Sequence, residues 1–159
     1  MVEGLSVIYY LQREQNIPIS IEKVWDYFSD PRNLNELTPP EMNFEILTGG
    51  DIKMYEGQII EYRVEFLRGI KSLWLTEIAH VSEHQYFVDE QRVGPYRFWY
   101  HQHSFEKNAH GIRMTDHVTY ALPYGMLGDF VNVIWTQRTL NRIFDFRSKK
   151  INELLWSSK

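Results

Sequence analysis

Cysteine is absent from the sequence, and its absence excludes several kinds of chemistry. Disulfide bonds, thiolate metal sites and a cysteine nucleophile are all excluded. Runs of lysine or arginine are also missing, and the formal net charge is −4. A nucleic-acid interface needs a basic patch, so we expect no nucleic-acid partner. No Gly-x-Gly-x-x-Gly nucleotide-binding motif occurs, and we expect no cofactor.

Long uninterrupted apolar segments are missing as well, and the N-terminus does not resemble a signal peptide. We therefore expect a cytoplasmic protein without an integral membrane segment. The 159 residues are most simply one domain, residues 1–159, which is large enough to bury a substantial core. Aromatic residues make up 15% of the chain, a high share that suits a domain lining a bulky apolar space.

Turn signals and hydrophobic periodicity divide the chain into the elements of an α+β fold. Residues 7–17 predict a first strand, and two short helices follow, the second with Asp30 as its cap and Pro31 at its first helical position. Alternating patterns then predict about six antiparallel strands. From residue 126 to about 156, apolar residues recur roughly every seven positions, which predicts one long helix. The simplest packing wraps the sheet around this helix and leaves a cavity between them.

The most informative stretch runs from residue 87 to residue 105, where two strand patterns flank a turn at Gly94-Pro95. Side chains two residues apart in a strand share a face. One face of this hairpin mixes large aromatic rings with hydrogen-bonding groups: Phe87, Asp89, Gln91, Trp99, His101, His103 and Phe105. A plain core face or a plain solvent face does not have this mixture, which predicts the wall of a cavity.

Asp116 is the one acidic residue on an otherwise apolar face of the next predicted strand, where it lies between Met114 and Val118. An unpaired buried carboxylate is costly, so Asp116 needs a partner or contact with water. Counting outward from the predicted turn at residues 108–111 places it opposite about His103. We therefore expect Asp116 to pair with His101 or His103.

Several motifs are specific when their order and spacing are taken together. They are SDPRNLNELTPP at residues 29–40, Trp74-x-Thr76-x-Ile78, Phe87-x-Asp89-x-Gln91, Gly94-Pro95, Trp99-x-His101-x-His103-x-Phe105, and Asp116 followed by Tyr120, Pro123, Gly125 and Gly128. Through them the chain resembles the START-like (SRPBCC) superfamily, and within it a bacterial ligand-binding group, over nearly its whole length.

This resemblance implies the helix-grip fold, a curved antiparallel sheet of about seven strands wrapped around a long C-terminal helix, with two short helices after the first strand. It also implies a cavity for a hydrophobic small molecule. It does not imply which molecule, because the superfamily includes both carriers and enzymes of the polyketide cyclase/dehydratase type.

Binding of a hydrophobic or aromatic small molecule is the function that we favour from the sequence. Aromatic and aliphatic walls would supply affinity, and hydrogen-bonding groups would orient the ligand. The predicted ligand-binding residues are Trp74, Thr76, Asp89, Gln91, Trp99, His101, His103, Asp116, Tyr120, Phe130 and Ile134.

Two other functions remain open. A cyclase-, aromatase- or dehydratase-type enzyme would use His101, His103 and Asp116 as candidate acid and base. An interaction module or homodimer would use the second apolar set of the long helix, Leu127, Phe130, Val131 and Ile134.

A metal ion would need Asp89 or Asp116 as a third ligand beside His101 and His103. No tighter cluster of ligands is visible in the sequence. We therefore expect no metal, and instead a hydrogen-bonded network of histidines and aspartates.

Overall fold

A curved antiparallel sheet of seven strands forms the body of the protein in a computed structural model, which describes residues 7–67, 69–123, 130 and 132–156. The strands are β1 (Tyr9–Ile17), β2 (Glu45–Thr48), β3 (Ile59–Leu67), β4 (Ile70–Ser82), β5 (Tyr86–Val93), β6 (Phe98–Asn108) and β7 (Gly111–Ala121). Their order in the sheet is β1-β7-β6-β5-β4-β3-β2. The last strand, β7, thus pairs with the first strand, β1. The predicted antiparallel sheet of an α+β fold is confirmed.

The short helices lie between β1 and β2, and the long helix follows β7. Helix α1 (Ile21–Phe28) is followed by two 3₁₀ helices, Pro31–Asn35 and Pro40–Met42, so the second predicted short helix is a tighter 3₁₀ turn. Its start is as predicted: the Asp30 side chain accepts a hydrogen bond from the backbone N–H of Arg32, and Pro31 follows the cap.

The long C-terminal helix α2 spans Gln137–Trp156 and follows a π-helical turn over Asn132–Thr136. The sequence predicted a helix from residue 126, but residues 124–129 lie outside the described residues. The predicted helix is confirmed from Gln137 onward.

The hairpins fix which residues of the central strands face each other. Asp89 of β5 lies opposite His101 of β6, and His103 of β6 lies opposite Asp116 of β7. The predicted position of Asp116 is therefore confirmed. The turn before β7 needs a glycine, because Gly111 has φ +124° and a Cβ there would lie 2.3 Å from the carbonyl oxygen of Ile17.

The concave face of the sheet holds the core. In β4, Thr76 and Ile78 are buried whereas Leu73 is 45% exposed, so the face that carries Thr76 and Ile78 points inward. Helix α2 packs against this face through residues that repeat at helical spacing, namely Leu140, Phe144, Ile151 and Leu155. Each such buried side chain contributes roughly 1.5–3 kcal/mol to folding.

Candidate functional site

A cavity of about 190 Å³ lies between the sheet, helix α2 and the short helices near the N-terminus. Its wall is mostly apolar and aromatic, and includes Phe28, Leu37, Ile60, Trp74, Trp99 and Phe144. Polar groups of the central strands and of helix α2 line one part of it, at Thr76, Asp89, His101, His103 and Arg147, and Asp30, Asn33 and Thr38 line it near the short helices. This combination of an apolar wall with a few converging polar groups is typical of a ligand site.

Six of the predicted ligand-binding residues line the cavity: Trp74, Thr76, Asp89, Trp99, His101 and His103. Asp116 does not line it, although it contacts both histidines. Asp116 therefore contacts the two imidazole rings that line the cavity, but not the cavity itself.

Four other predicted residues lie outside the lining, and their positions explain why. The Gln91 amide holds the hairpin turn, since its Nε2 donates to the Tyr96 carbonyl at 2.7 Å and its Oε1 accepts from the Tyr96 N–H at 3.2 Å. Tyr120 is buried against the ring of Tyr9, with ring centroids 5.4 Å apart.

Phe130 and Ile134 are 65% and 49% exposed to solvent, respectively. Such exposure is at odds with a place in the cavity wall. The sequence also predicted that these two residues, together with Leu127 and Val131, form a surface that contacts a partner. Leu127 and Val131 lie outside the described residues.

Two aspartates hold two histidines at the polar end of the cavity. The Asp116 Oδ1 atom lies 2.8 Å from His101 Nε2 and 2.9 Å from His103 Nδ1. The Asp89 Oδ2 atom lies 2.8 Å from His103 Nε2 and 3.4 Å from His101 Nδ1. Every ring nitrogen of the pair thus faces a carboxylate, and the two ring centroids are only 3.7 Å apart.

The pKa values of the two buried histidines are shifted in opposite directions. Burial would lower the pKa of His103, but its hydrogen bonds to Asp116 and Asp89 outweigh burial and raise it. Burial and the neighbouring His103 charge together lower the pKa of His101. Of the two rings, His103 therefore takes up a proton more readily, and His101 more readily stays neutral.

Both aspartates are held in the charged form. Burial alone would raise the pKa of Asp116, but Arg147 and the two histidines lower it well below its ordinary value. Burial likewise opposes the charge on Asp89, and His101 and His103 outweigh it, so its pKa is also lowered. Asp89 also lies 3.4 Å from the indole Nε1 of Trp99, which donates a hydrogen bond to its Oδ1.

Arg147 of helix α2 completes the site, and the sequence interpretation missed it. Its side chain is only 9% exposed, and its guanidinium carbon lies 5.7 Å from the ring centroid of Phe28 and 6.0 Å from that of Phe144. Its Nη2 lies 3.4 Å from His103 Nδ1. The available signal was its position seven residues after Leu140, which places a charge on the apolar stripe of the helix.

Asp89, His101 and His103 also form a group that could hold a metal, with one ligand atom of each within 4.8 Å of the others. Two imidazoles and a carboxylate are a donor set that zinc and iron accept. The cationic Arg147 beside His103 disfavours a second cation at this place. The expectation that no metal binds stays a prediction.

Comparisons with known proteins show the fold of the chain. No protein-family profile matches the sequence, and no curated protein is significantly similar to it. Among solved structures, the Zhui aromatase/cyclase of a Streptomyces species has a TM-score of 0.70 at 12% identity, with 91% of this chain and 92% of that chain covered.

A protein of Mycobacterium smegmatis has a TM-score of 0.69 at 19% identity, covering 94% of this chain and 92% of that one. Norcoclaurine synthase of Thalictrum flavum, in complex with dopamine and hydroxybenzaldehyde, has a TM-score of 0.67 at 15% identity, covering 97% and 90%. These similarities confirm the helix-grip fold that the resemblance to the START-like superfamily implied. Within the described part of the chain, we find no helix with the length and apolar character needed to cross a membrane.

Proposed function

We propose that the protein binds a small, mainly aromatic molecule in the cavity between the sheet and helix α2. The observation that carries this proposal is the wall itself, in which aromatic side chains surround a buried cluster of hydrogen-bonding groups. The cavity of about 190 Å³ is of the size that holds one aromatic ring with a substituent. The solved norcoclaurine synthase with two aromatic molecules supports the proposal by its similar fold.

Affinity and selectivity come from different parts of the wall. The rings of Trp74, Trp99 and Phe144 would contribute through buried apolar area, at roughly 25 cal/mol per Å². Asp89, His101 and Arg147 would select a ligand whose polar atoms match theirs. A ligand that leaves one such group unpaired would lose about 1–3 kcal/mol.

An enzyme of the cyclase or dehydratase type is the second candidate, and one observation favours it. His101 and His103 line the same cavity with their pKa values shifted in opposite directions. Two titratable groups whose pKa values are shifted apart suit the roles of acid and base in one reaction. A ligand that leaves the protein chemically changed would favour this candidate over a carrier.

A cavity-filling variant tests the binding function. In Thr76→Phe the new ring would occupy the cavity, whereas in Leu75→Phe the change lies on the adjacent residue of β4, which points to the other face. Native mass spectrometry of protein from its own source should show a bound small molecule with the wild type and with Leu75→Phe, and none with Thr76→Phe. A molecule that is retained by Thr76→Phe would place binding elsewhere.

A further inference from the structure

The geometry points to a carboxylate on the bound molecule: the ligand is an aromatic acid, and Arg147 binds its carboxylate inside the cavity. This inference rests on the proposed binding function and specifies the class of the ligand. It assigns to Arg147 a role that the helix packing does not require.

Arg147 is a buried cation whose hydrogen-bonding capacity is largely unused. Its side chain is 9% exposed, and its Nε atom is buried without a hydrogen-bond partner in the described residues. In that same part of the structure, no carboxylate lies within 4.0 Å of its guanidinium. Buried arginines are normally paired, because an unpaired buried charge is costly.

The contact that Arg147 does make leaves its donors available. Its Nη2 faces His103 Nδ1 at 3.4 Å, but that nitrogen already faces the Asp116 carboxylate at 2.9 Å. When His103 carries a proton on this nitrogen, it has no lone pair to offer to Arg147. The guanidinium therefore needs an acceptor from elsewhere, and the cavity that it lines is where one would come from.

A carboxylate suits this position better than a neutral carbonyl. The guanidinium is a planar fork that matches a carboxylate with two parallel hydrogen bonds. The rings of Phe28 and Phe144 flank it and would cover the aromatic part of such a ligand. With water excluded, the attraction between the opposite charges is stronger than it is at the protein surface.

The charges of the site predict a further consequence of binding. The lowered pKa values of Asp89 and Asp116 favour two negative charges in the site, and Arg147 and the more readily protonated His103 offset them. A ligand carboxylate would add a negative charge beside these groups. Because His101 and His103 line the cavity, the added negative charge would raise their pKa values, and the site would take up a proton when the acid binds.

The test compares phenylacetate with phenylacetamide, which differ in charge at nearly constant shape. We expect the wild type to bind phenylacetate at least about tenfold more tightly than the amide in ligand-observed NMR titrations. In Arg147→Met the two affinities should agree within about twofold. Arg142→Met, five residues earlier on the same helix with a 59% exposed side chain, is the control and should keep the preference.

Two further measurements keep the inference testable if Arg147→Met does not fold. Arg147→Lys keeps the charge but loses the planar fork, and should reduce the preference for the acid. Calorimetry of the wild type with phenylacetate in buffers of different ionisation enthalpy should show proton uptake on binding. Phenylacetamide should show none.

The outcomes separate this inference from the binding function. Equal affinity of the wild type for acid and amide, or an acid preference that survives in Arg147→Met, would overturn the carboxylate while leaving the cavity a binding site. No binding of phenylacetate, phenylacetamide or toluene to the wild type would overturn the binding function as well.

Discussion

Replacement of Asp116 by asparagine tests the charge of the buried network while its shape stays nearly constant. Asp116 is 6% exposed, and its Oδ1 atom alone faces both histidines, at 2.8 and 2.9 Å. An asparagine with its Oδ1 in the same place keeps an acceptor for both rings. The change therefore removes the negative charge that balances His103 and Arg147, with little change in packing.

The loss of this charge should destabilise the fold by about 3 kcal/mol at neutral pH, the lower end of the range for breaking a buried ion pair. The low end applies because the hydrogen-bond acceptor remains. For a domain of this length, that loss corresponds to a melting temperature roughly 6–12 °C lower. Urea unfolding followed by tryptophan fluorescence measures the free energy, and thermal unfolding gives an independent value.

The pH dependence of this loss identifies its cause. As pH rises through the raised pKa of His103, the imidazole becomes neutral in wild type and variant alike, and the difference between them should shrink. The control is Glu106→Gln on β6, whose 62% exposed carboxylate pairs with Arg113 at the surface. It should cost less than about 1 kcal/mol. A loss in Asp116→Asn no larger than in Glu106→Gln, or one that is constant with pH, would refute the reasoning.

Two further predictions follow from the same cluster. Stability should be greatest near pH 6.5, the ordinary pKa of histidine. Above this pH the stabilising contribution of His103 is lost, because its pKa is raised in the folded state. Below this pH protonation favours the unfolded state, because the pKa of His101 is lowered in the folded state. Urea unfolding from about pH 5 to about pH 9 measures this, and stability that only rises across the range would contradict it. Addition of EDTA should leave the melting temperature unchanged, because every ring nitrogen already faces a carboxylate oxygen. Stoichiometric zinc by elemental analysis, lost together with stability in His101→Ala, would show that the network is a metal site.

Local alternation and turn position were enough to predict much of the fold. The period of two in β3 predicts the buried set Ile60, Tyr62 and Val64, because a strand presents alternate residues to each face. The short turn before Gly111 fixes the register of β6 and β7, and the register places Asp116 opposite His103. These features depend on neighbours in sequence or across one hairpin, which a pattern can encode.

Features that depend on the end of an element were harder to predict. Gln91 shares a strand face with Asp89, but the pairing of β5 with β6 ends at Glu90, so its amide is free to turn toward Tyr96. Phe130 and Ile134 were placed on a straight helix from residue 126. The structure instead has a π-helical turn over Asn132–Thr136, which includes Ile134 and has more residues per turn than an α-helix.

Arg147 was missed for a different reason. A single arginine in an amphipathic helix is usually explained by its long side chain, which reaches water from the edge of the apolar face. Here the residues around it prevent that, since Phe28 and Phe144 flank the guanidinium and the sheet lies beyond it. Only the tertiary packing shows that the charge is enclosed.

The buried cluster is difficult to explain by stability alone. Placing Asp89, Asp116 and Arg147 in the interior removes three charges from water, and a protonated His103 adds a fourth, so their mutual attraction must first offset that desolvation. Well-packed apolar residues of the same volume often give equal or greater stability. The cluster also meets the cavity at Asp89, His103 and Arg147 and leaves one guanidinium nitrogen without a partner. An arrangement chosen for stability would satisfy that nitrogen within the protein, so a functional role of Arg147 explains the cluster better than stability does.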